Sequence, residues 1–151
     1  MPKEYLFKSD RLGFRNWINS DIDKMRLMYS VRGYCYFAVE QLKDESFIGF
    51  IGLCYQDYES PVTPNIDIGW RLNKKFWNNG FATEGATKCL DYGFNVIKLK
   101  NIISTTPKIN IKSIRVMEKI GMQKLTEFKH PRLKSNEKLE ECVCYEIINL
   151  S

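Results

Sequence analysis

The stretch Trp77-Asn78-Asn79-Gly80-Phe81-Ala82-Thr83 lies where the periodicity of the sequence changes. Over residues 66–72 the apolar residues follow a strand pattern, and over residues 82–97 they recur at helical spacing. Gly80 lets the backbone turn so that successive N–H groups point one way, and the helix behind it adds unpaired first-turn N–H groups and the positive end of its dipole. The stretch therefore predicts either an anion-binding loop that accepts a phosphate group, or a plain loop with Gly before a helix.

The loop differs from the common nucleotide-binding motifs. It contains no GKS or GKT, so the lysine that a P-loop NTPase places on the β- and γ-phosphates is missing. The element before it is the third strand of a predicted antiparallel meander and not the first strand of a βαβ unit, which argues against dinucleotide binding. A pyrophosphate site without a metal-holding Ser or Asp indicates a carrier such as coenzyme A.

The other predicted elements follow from the same two periodicities. The predicted strands cover residues 4–7, 11–17, 34–40, 46–55, 66–72, 101–106, 123–129 and 141–148. Helices are predicted to begin at Ser20, near Ala82 and at Asn110, which serves as an N-cap. The last helix is expected to end at Gly121 and to bury Ile111, Ile114, Met117 and Ile120. This order describes a single α/β domain over residues 1–151, with a mixed, mostly antiparallel sheet of about seven strands flanked by helices.

Composition excludes several classes of protein. The 151 residues contain no apolar run of membrane-spanning length, and residues 1–5 lack the apolar segment of a signal peptide. Five cysteines without paired spacing and a single histidine argue against a metal site and favour a reducing, cytoplasmic location. The net charge of +5 fits solubility, an anionic cofactor, an acidic substrate or nucleic acid, the last being the weakest because Lys and Arg are scattered.

Several segments together resemble the GNAT superfamily of N-acetyltransferases, and within it the ribosomal-protein N-terminal acetyltransferase-like branch. The cofactor motif of that family has the form Q/R-x-x-G-x-G/A, and residues 77–82 match it with Trp in the first position, as is usual in this branch. The other similar segments are Ile68-Gly69-Trp70-Arg71-Leu72, residues 110–122 (NIKSIRVMEKIGM), Ser9-Asp10-Arg11-Leu12 and Phe128-Lys129-His130-Pro131. The resemblance covers almost the whole chain in the right order, and it implies a GNAT fold that holds acetyl-CoA as a co-substrate.

The resemblance also implies roles for individual residues. The residues expected to bind acetyl-CoA are Arg71, Leu72, Asn78, Asn79, Gly80, Phe81, Ala82, Thr83, Asn110 and Ser113. A backbone N–H near Arg71 or Leu72 is expected to stabilise the oxyanion. Asp67 lies where many relatives carry an acidic general base, although a solvent-facing strand residue is the alternative interpretation. His130 is a second candidate base, with a turn residue as the alternative.

The protonation of the leaving thiolate and the choice of substrate are less defined. Many relatives place a Tyr that acts as general acid at the position of Met117. Here either Ser113 protonates the thiolate or the thiolate leaves unaided. Relatives also carry a further helical segment before the strand near Tyr34, and this N-terminal helical region is shortened here. We therefore expect an N-acetyltransferase that acts on a small-molecule or peptide amine, with a homodimer as the candidate assembly. The alternative is a catalytically silent acyl-CoA-binding module that serves as a sensor or partner domain.

Overall fold

Eight strands form one sheet in the order β1-β2-β3-β4-β5-β6-β8-β7. The computed structural model describes residues 4–18 and 36–150. The strands are β1 (Phe7–Lys8), β2 (Leu12–Arg15), β3 (Phe37–Gln41), β4 (Ser46–Gln56), β5 (Asn65–Leu72), β6 (Asn101–Pro107), β7 (Gln123–Lys129) and β8 (Glu141–Ile148). The helices are α1 (Phe81–Asn95), α2 (Ile111–Lys119) and the single turn α3 (Glu137–Glu140).

The sheet is antiparallel everywhere except between β5 and β6, which run parallel. This confirms the predicted mixed, mostly antiparallel α/β fold. The sheet has eight strands, close to the predicted count of about seven, and even the two-residue β1 pairs with β2, where the rings of Phe7 and Phe14 stack at 4.5 Å.

The main core lies between the sheet and the helices α1 and α2. Strand residues such as Ile51 and Ile102 are fully buried there against Cys89 of α1 and Met117 of α2. The spacing of the core residues in α1 explains this packing, because Phe81, Gly85, Ala86, Cys89, Leu90 and Gly93 recur on one helical face. The loop that precedes α1 is thereby held at one edge of a rigid layer.

One predicted helical face is wrong in part. Met117 and Ile120 of the α2 region are buried as predicted, but the side chain of Ile111 is 51% exposed. The four predicted residues are spaced three apart, which falls about 60° short of a full turn at each step in a helix with 3.6 residues per turn. Over the three steps from Ile111 to Ile120 the difference reaches about 180°, so these two residues lie on opposite sides. Residue Ile97 is also exposed, because α1 already ends at Asn95.

Two predictions lie outside the described residues. They are the first helix, beginning at Ser20, and the shortened helical region before Tyr34. Among the helices of residues 4–18 and 36–150, none is both long enough and apolar enough to span a membrane.

Candidate functional site

The parallel strands β5 and β6 diverge at the centre of the sheet. In the described part of the chain their register consists of one pair, Asp67 with Ile103, although both strands continue for several residues. The Ser104 hydroxyl spans the start of the gap by donating to the Ile68 carbonyl at 2.9 Å. Beyond it opens a cleft of about 560 Å³, lined by residues 67–71 of β5, residues 104–107 of β6 and the start of α2. A cleft of this size accommodates a small-molecule ligand.

The backbone of β5 offers hydrogen-bonding groups to this cleft. On its other side, β5 pairs with β4, and the adjoining Asn73 N–H donates to the Ile48 carbonyl at 2.8 Å. Neighbouring residues of an antiparallel strand point their N–H groups in alternate directions, so the N–H groups of Trp70 and Leu72 point away from β4. By the same alternation, the Arg71 N–H faces β4. Of the two predicted oxyanion donors, Leu72 therefore has the suitable direction, but it lies beyond Trp70 on the side away from Asp67 and is absent from the lining of the cleft.

Asp67 lies at the apex of the cleft, where β5 and β6 separate. Its side chain is buried, with 9% exposure, so the solvent-facing interpretation is wrong. The Tyr36 hydroxyl donates to Asp67 Oδ1 at 2.8 Å, and the Gln56 amide donates to that hydroxyl at 3.5 Å. Gly69 makes room for this arrangement, because a Cβ atom there would lie 3.1 Å from the Tyr36 hydroxyl oxygen. The three side chains form a buried chain of hydrogen bonds that ends on the carboxylate.

The environment of Asp67 changes its acidity. Burial raises the pKa of Asp67 to about 6, and this effect outweighs the hydrogen bonds from Tyr36 and Gln56, which lower the pKa. A carboxyl group with this pKa is mostly ionised at neutral pH and is a better proton acceptor than an ordinary Asp. A perturbed carboxyl group that lines a cleft is typical of a functional site.

The N-terminus of α2 forms the opposite wall of the cleft. Asn110 caps the helix, as predicted, because its Oδ1 accepts the backbone N–H of Ser113 at 3.2 Å. Both residues line the cleft, and so does the buried Met117 one turn further on. Since the cap uses the Ser113 backbone, the Ser113 hydroxyl remains available to a ligand.

The loop before α1 has the shape of an anion-binding loop. Gly80 adopts φ +77° and Asn78 adopts φ +63°, so left-handed residues alternate along the loop. The first helical bond runs from Glu84 N to the Gly80 carbonyl at 3.0 Å. The N–H groups of residues 81–83, which include Ala82 and Thr83, therefore precede the helical ladder and belong to the exposed helix end.

Side chains of the loop serve mainly to hold its shape. The Asn79 amide donates to the carbonyls of Phe76 and Trp77 at 3.1 and 3.0 Å. The Phe81 side chain is buried, so only its backbone is left for a ligand. The Trp77 indole donates to the Leu72 carbonyl at 2.9 Å, and Lys112 Nζ of α2 lies 4.6 Å from the centre of its ring. These contacts join the loop to the mouth of the cleft.

His130 lies in a turn, which confirms the alternative interpretation of this residue. Its Nδ1 accepts the Arg132 N–H at 3.2 Å, and its ring packs on Tyr58 at 4.4 Å. Burial, together with the positive charge of Arg132, lowers the pKa of His130. His130 is absent from the lining of the cleft, whereas Asp67 is part of it.

Three residues of the site were not predicted from the sequence: Tyr36, Gln56 and Ser104. They lie just before β3, at the end of β4 and in the middle of β6, and only the pairing of these strands brings them together near Asp67. No local motif marks them. Within residues 4–18 and 36–150, no three His, Cys, Asp or Glu side chains are grouped so that they could hold a metal ion.

The sequence matches a known protein family. The profile of the acetyltransferase (GNAT) domain matches residues 4–123. Over 75 residues the chain is 44% identical to the uncharacterized N-acetyltransferase YnaD of Bacillus subtilis (strain 168), a match that covers 50% of this chain and 44% of that protein. The chain spans about half the length of the curated relatives it matches.

Solved structures share the fold over nearly the whole chain. An acetyltransferase (GNAT family) from Bacillus anthracis is 28% identical, with a TM-score of 0.75 and coverage of 93% of this chain and 96% of that chain. A dodecameric spermidine N-acetyltransferase from Vibrio cholerae is 16% identical, with a TM-score of 0.73 and coverage of 91% and 94%. The second likeness concerns the fold alone.

Proposed function

The chain belongs to the GNAT acetyltransferase family, and we propose that it transfers the acetyl group of acetyl-CoA to a primary amine. One observation carries the proposal: a cleft between the diverging strands β5 and β6 starts at the buried Asp67 carboxylate, and the chain that leaves β5 continues to the N-terminus of α1. This arrangement fits an extended ligand with a reactive acyl group at one end and phosphates at the other.

Backbone groups of β5 and of the loop before α1 support binding of the pantetheine arm and the pyrophosphate of acetyl-CoA. The outward-facing Trp70 carbonyl and Leu72 N–H would pair with the pantetheine arm as a neighbouring strand does. The backbone N–H groups of residues 80–83 would hold the pyrophosphate at the helix end. Arg71 and Asn110 line the cleft between these two parts. We propose roles in binding for these residues and for the loop residues Asn78 and Asn79 that shape the site.

Asp67 would serve as the general base. An amine is mostly protonated at neutral pH, so its proton must leave before the nitrogen lone pair attacks the thioester carbon. In the proposed step the Asp67 carboxylate accepts this proton, directly or through one water. The new C–N bond then forms as both reactants are held in line, which supplies much of the rate.

Two further groups would act on the thioester. The Trp70 N–H, which points away from β4 and lies nearer to Asp67 than the Leu72 N–H does, would donate to the oxygen that gains negative charge during attack. When the C–S bond breaks, the electron pair stays on sulfur, and the Ser113 hydroxyl would supply a proton to the thiolate and regain one from water. The nitrogen loses its second proton to the hydroxide left when water reprotonates Ser113, and Asp67 releases its proton to solvent, so the products are the acetylated amine, free CoA and one proton.

We further propose that the chain falls in the ribosomal-protein N-terminal acetyltransferase-like branch. Trp77 at the first motif position and the residues from Asn110 to Met122 support this placement. The acceptor would then be a protein N-terminus, although polyamines and small-molecule amines use the same chemistry. The relatives that share the fold include the spermidine enzyme, so polyamines belong among the acceptors to be tested.

The experiment is a thiol-release assay with acetyl-CoA and a panel of peptides, polyamines and aminoglycosides. We expect CoA release that depends on one class of amine, together with a rise in melting temperature when acetyl-CoA is added. Thermal stabilisation without thiol release across the panel would support the silent acyl-CoA-binding module. If acetyl-CoA at concentrations far above typical affinities gave no stabilisation, the proposed function would be wrong.

A further inference from the structure

The turn before β2 is joined to the loop before α1 by a dense group of hydrogen bonds. The Ser9 hydroxyl donates to Glu84 Oε2 at 2.5 Å and accepts the Leu12 N–H at 3.2 Å. The Arg11 backbone N–H also donates to Glu84 Oε2, at 2.9 Å. Glu84 lies in the first turn of α1, so a segment some seventy residues earlier in the sequence is fixed to the helix end.

The Arg11 side chain makes three separate contacts with this region. Its Nε donates to Glu84 Oε1 at 2.7 Å, and its NH2 group donates to the Asn79 carbonyl at 2.9 Å. The guanidinium also lies over the ring of Phe81, 4.5 Å from its centre. One planar group thus holds the loop, the first helical residue and the first-turn carboxylate at once.

The bond to the Asn79 carbonyl has a consequence for Gly80. In a planar trans peptide the carbonyl of one residue and the N–H of the next point in opposite directions. Because Arg11 fixes the direction of the Asn79 carbonyl, it also fixes the direction of the Gly80 N–H. This N–H is the first donor of the exposed helix end. Gly80 itself has no side chain that could contribute to this orientation, and it adopts a left-handed φ of +77°.

Arg11 also changes the electrostatics of the site. A carboxylate in the first turn of α1 would repel a phosphate group that binds there. Partial burial raises the pKa of Glu84, but the hydrogen bonds from Ser9 and Arg11 outweigh this effect and keep the pKa below its ordinary value. Glu84 is therefore ionised, and the positive charge of Arg11 at 2.7 Å compensates its charge.

We infer that Arg11 is a positioning residue for the pyrophosphate site: it orients the Gly80 N–H through the Asn79 carbonyl and neutralises Glu84. The inference rests on the proposed function, since it assumes that the loop holds the phosphates of acetyl-CoA. It assigns a role to the Ser9-Asp10-Arg11-Leu12 segment, which the proposed chemistry leaves without one.

The test compares two acetyl thioesters that differ in the phosphates. Acetyl-CoA carries the pyrophosphate, whereas S-acetylpantetheine has the same reactive end and no phosphate. For Arg11→Gln we expect the Kd of acetyl-CoA, measured by calorimetry, to rise by about tenfold or more, the scale of one lost charge-assisted hydrogen bond. The kcat/KM for S-acetylpantetheine should stay at the wild-type value.

Two further variants separate the parts of the inference. Arg11→Lys keeps the charge, but an ammonium group cannot contact Glu84 and Asn79 in the same fork, so its Kd for acetyl-CoA should also rise. Lys88→Gln removes one positive charge from an exposed pair with Asp91 on the same helix and should leave both thioesters unaffected. If Arg11→Lys bound acetyl-CoA as tightly as the wild type, charge alone would suffice and the orienting role would be refuted.

The remaining outcomes distinguish this inference from the proposed function. If the wild type binds acetyl-CoA and Arg11→Gln binds it equally well, the inference is wrong and the proposed function stands. An equal loss for both thioesters would mean that Arg11 supports the fold in general, which also overturns the inference. If the wild type itself fails to bind acetyl-CoA, the proposed function is wrong, and this inference, which rests on it, is wrong as well.

Discussion

The substitution Asp67→Asn is expected to stabilise the protein at pH 8 while it slows acetyl transfer. Asn has the same shape as Asp and keeps an Oδ1 atom that can accept the Tyr36 hydroxyl, which now donates to Asp67 at 2.8 Å. The substitution therefore removes the buried negative charge and leaves the hydrogen-bond chain in place. For this reason its effects on stability and on activity should have opposite signs.

The magnitude follows from the pKa of Asp67. Burial raises this pKa to about 6 from the ordinary value of 3.8, so the folded chain binds the proton more tightly than the unfolded chain does. The ionised carboxylate then lowers the free energy of unfolding by about 3 kcal/mol, at about 1.4 kcal/mol for each tenfold change in proton affinity. This cost is absent below pH about 4, grows between pH about 4 and 6, and is constant at higher pH.

Two assays check these expectations. In urea unfolding followed by tryptophan fluorescence, the variant should exceed the wild type by up to about 3 kcal/mol at pH 8, and the difference should shrink toward zero as the pH approaches 4. In the thiol-release assay, kcat/KM of the wild type should rise with pH through about 6. The activity of the variant should be about a hundredfold lower, and its pH profile of kcat/KM should no longer show this rising limb near pH 6.

The reasoning would be refuted by a stability difference that does not change between pH 4 and pH 8. A variant that retained both the activity and the limb near pH 6 would likewise show that another group is the base. Tyr36→Phe provides a matched control, because it removes the hydroxyl that donates to Asp67 and leaves the carboxylate in place. Since that hydrogen bond lowers the pKa of Asp67, the limb of Tyr36→Phe should move to higher pH.

Three other substitutions test the loop and the start of α2. Gly80→Asp should bind acetyl-CoA at least about tenfold more weakly than Gly80→Asn. Both side chains fill the same space and Asn tolerates the left-handed φ, but only Asp adds a negative charge, and like charges near a surface repel by about 1 to 4 kcal/mol. Equal Kd values in calorimetry would mean that the loop does not hold phosphate. Ser113→Ala should lower kcat by about a hundredfold, with an unchanged melting temperature because the cap uses the Ser113 backbone N–H; an unchanged kcat would indicate that the thiolate leaves unaided. Asn110→Ala should lower the free energy of unfolding by about 1 kcal/mol in urea, whereas Asn110→Ser should retain most of the cap, and equal losses would contradict the capping role.

Local sequence patterns predicted most of the elements because their causes are local. The strands β7 (Gln123–Lys129) and β8 (Glu141–Ile148) have the predicted bounds, and Asn110 caps α2 as its residue type indicates. The predicted buried face of α2 was wrong in part, because a spacing of three residues does not keep side chains on one face of an α-helix. Ile111 is apolar and lies in the helix, but a spacing of three residues places it away from the buried face.

The amino-acid sequence by itself determined the order of the elements, the glycine loop at residues 77–83 and the family resemblance. Each of these depends on residues that are neighbours in the chain. Only the tertiary structure decided that β5 and β6 diverge beyond Asp67, that Tyr36 and Gln56 stand behind its carboxylate, and that Arg11 reaches the loop. These contacts join segments far apart in sequence, and they arise from strand pairing and burial, which no local pattern records. The loop at residues 77–83 thus takes its left-handed turns from its own residues, whereas its contact with Arg11 arises only in the folded chain.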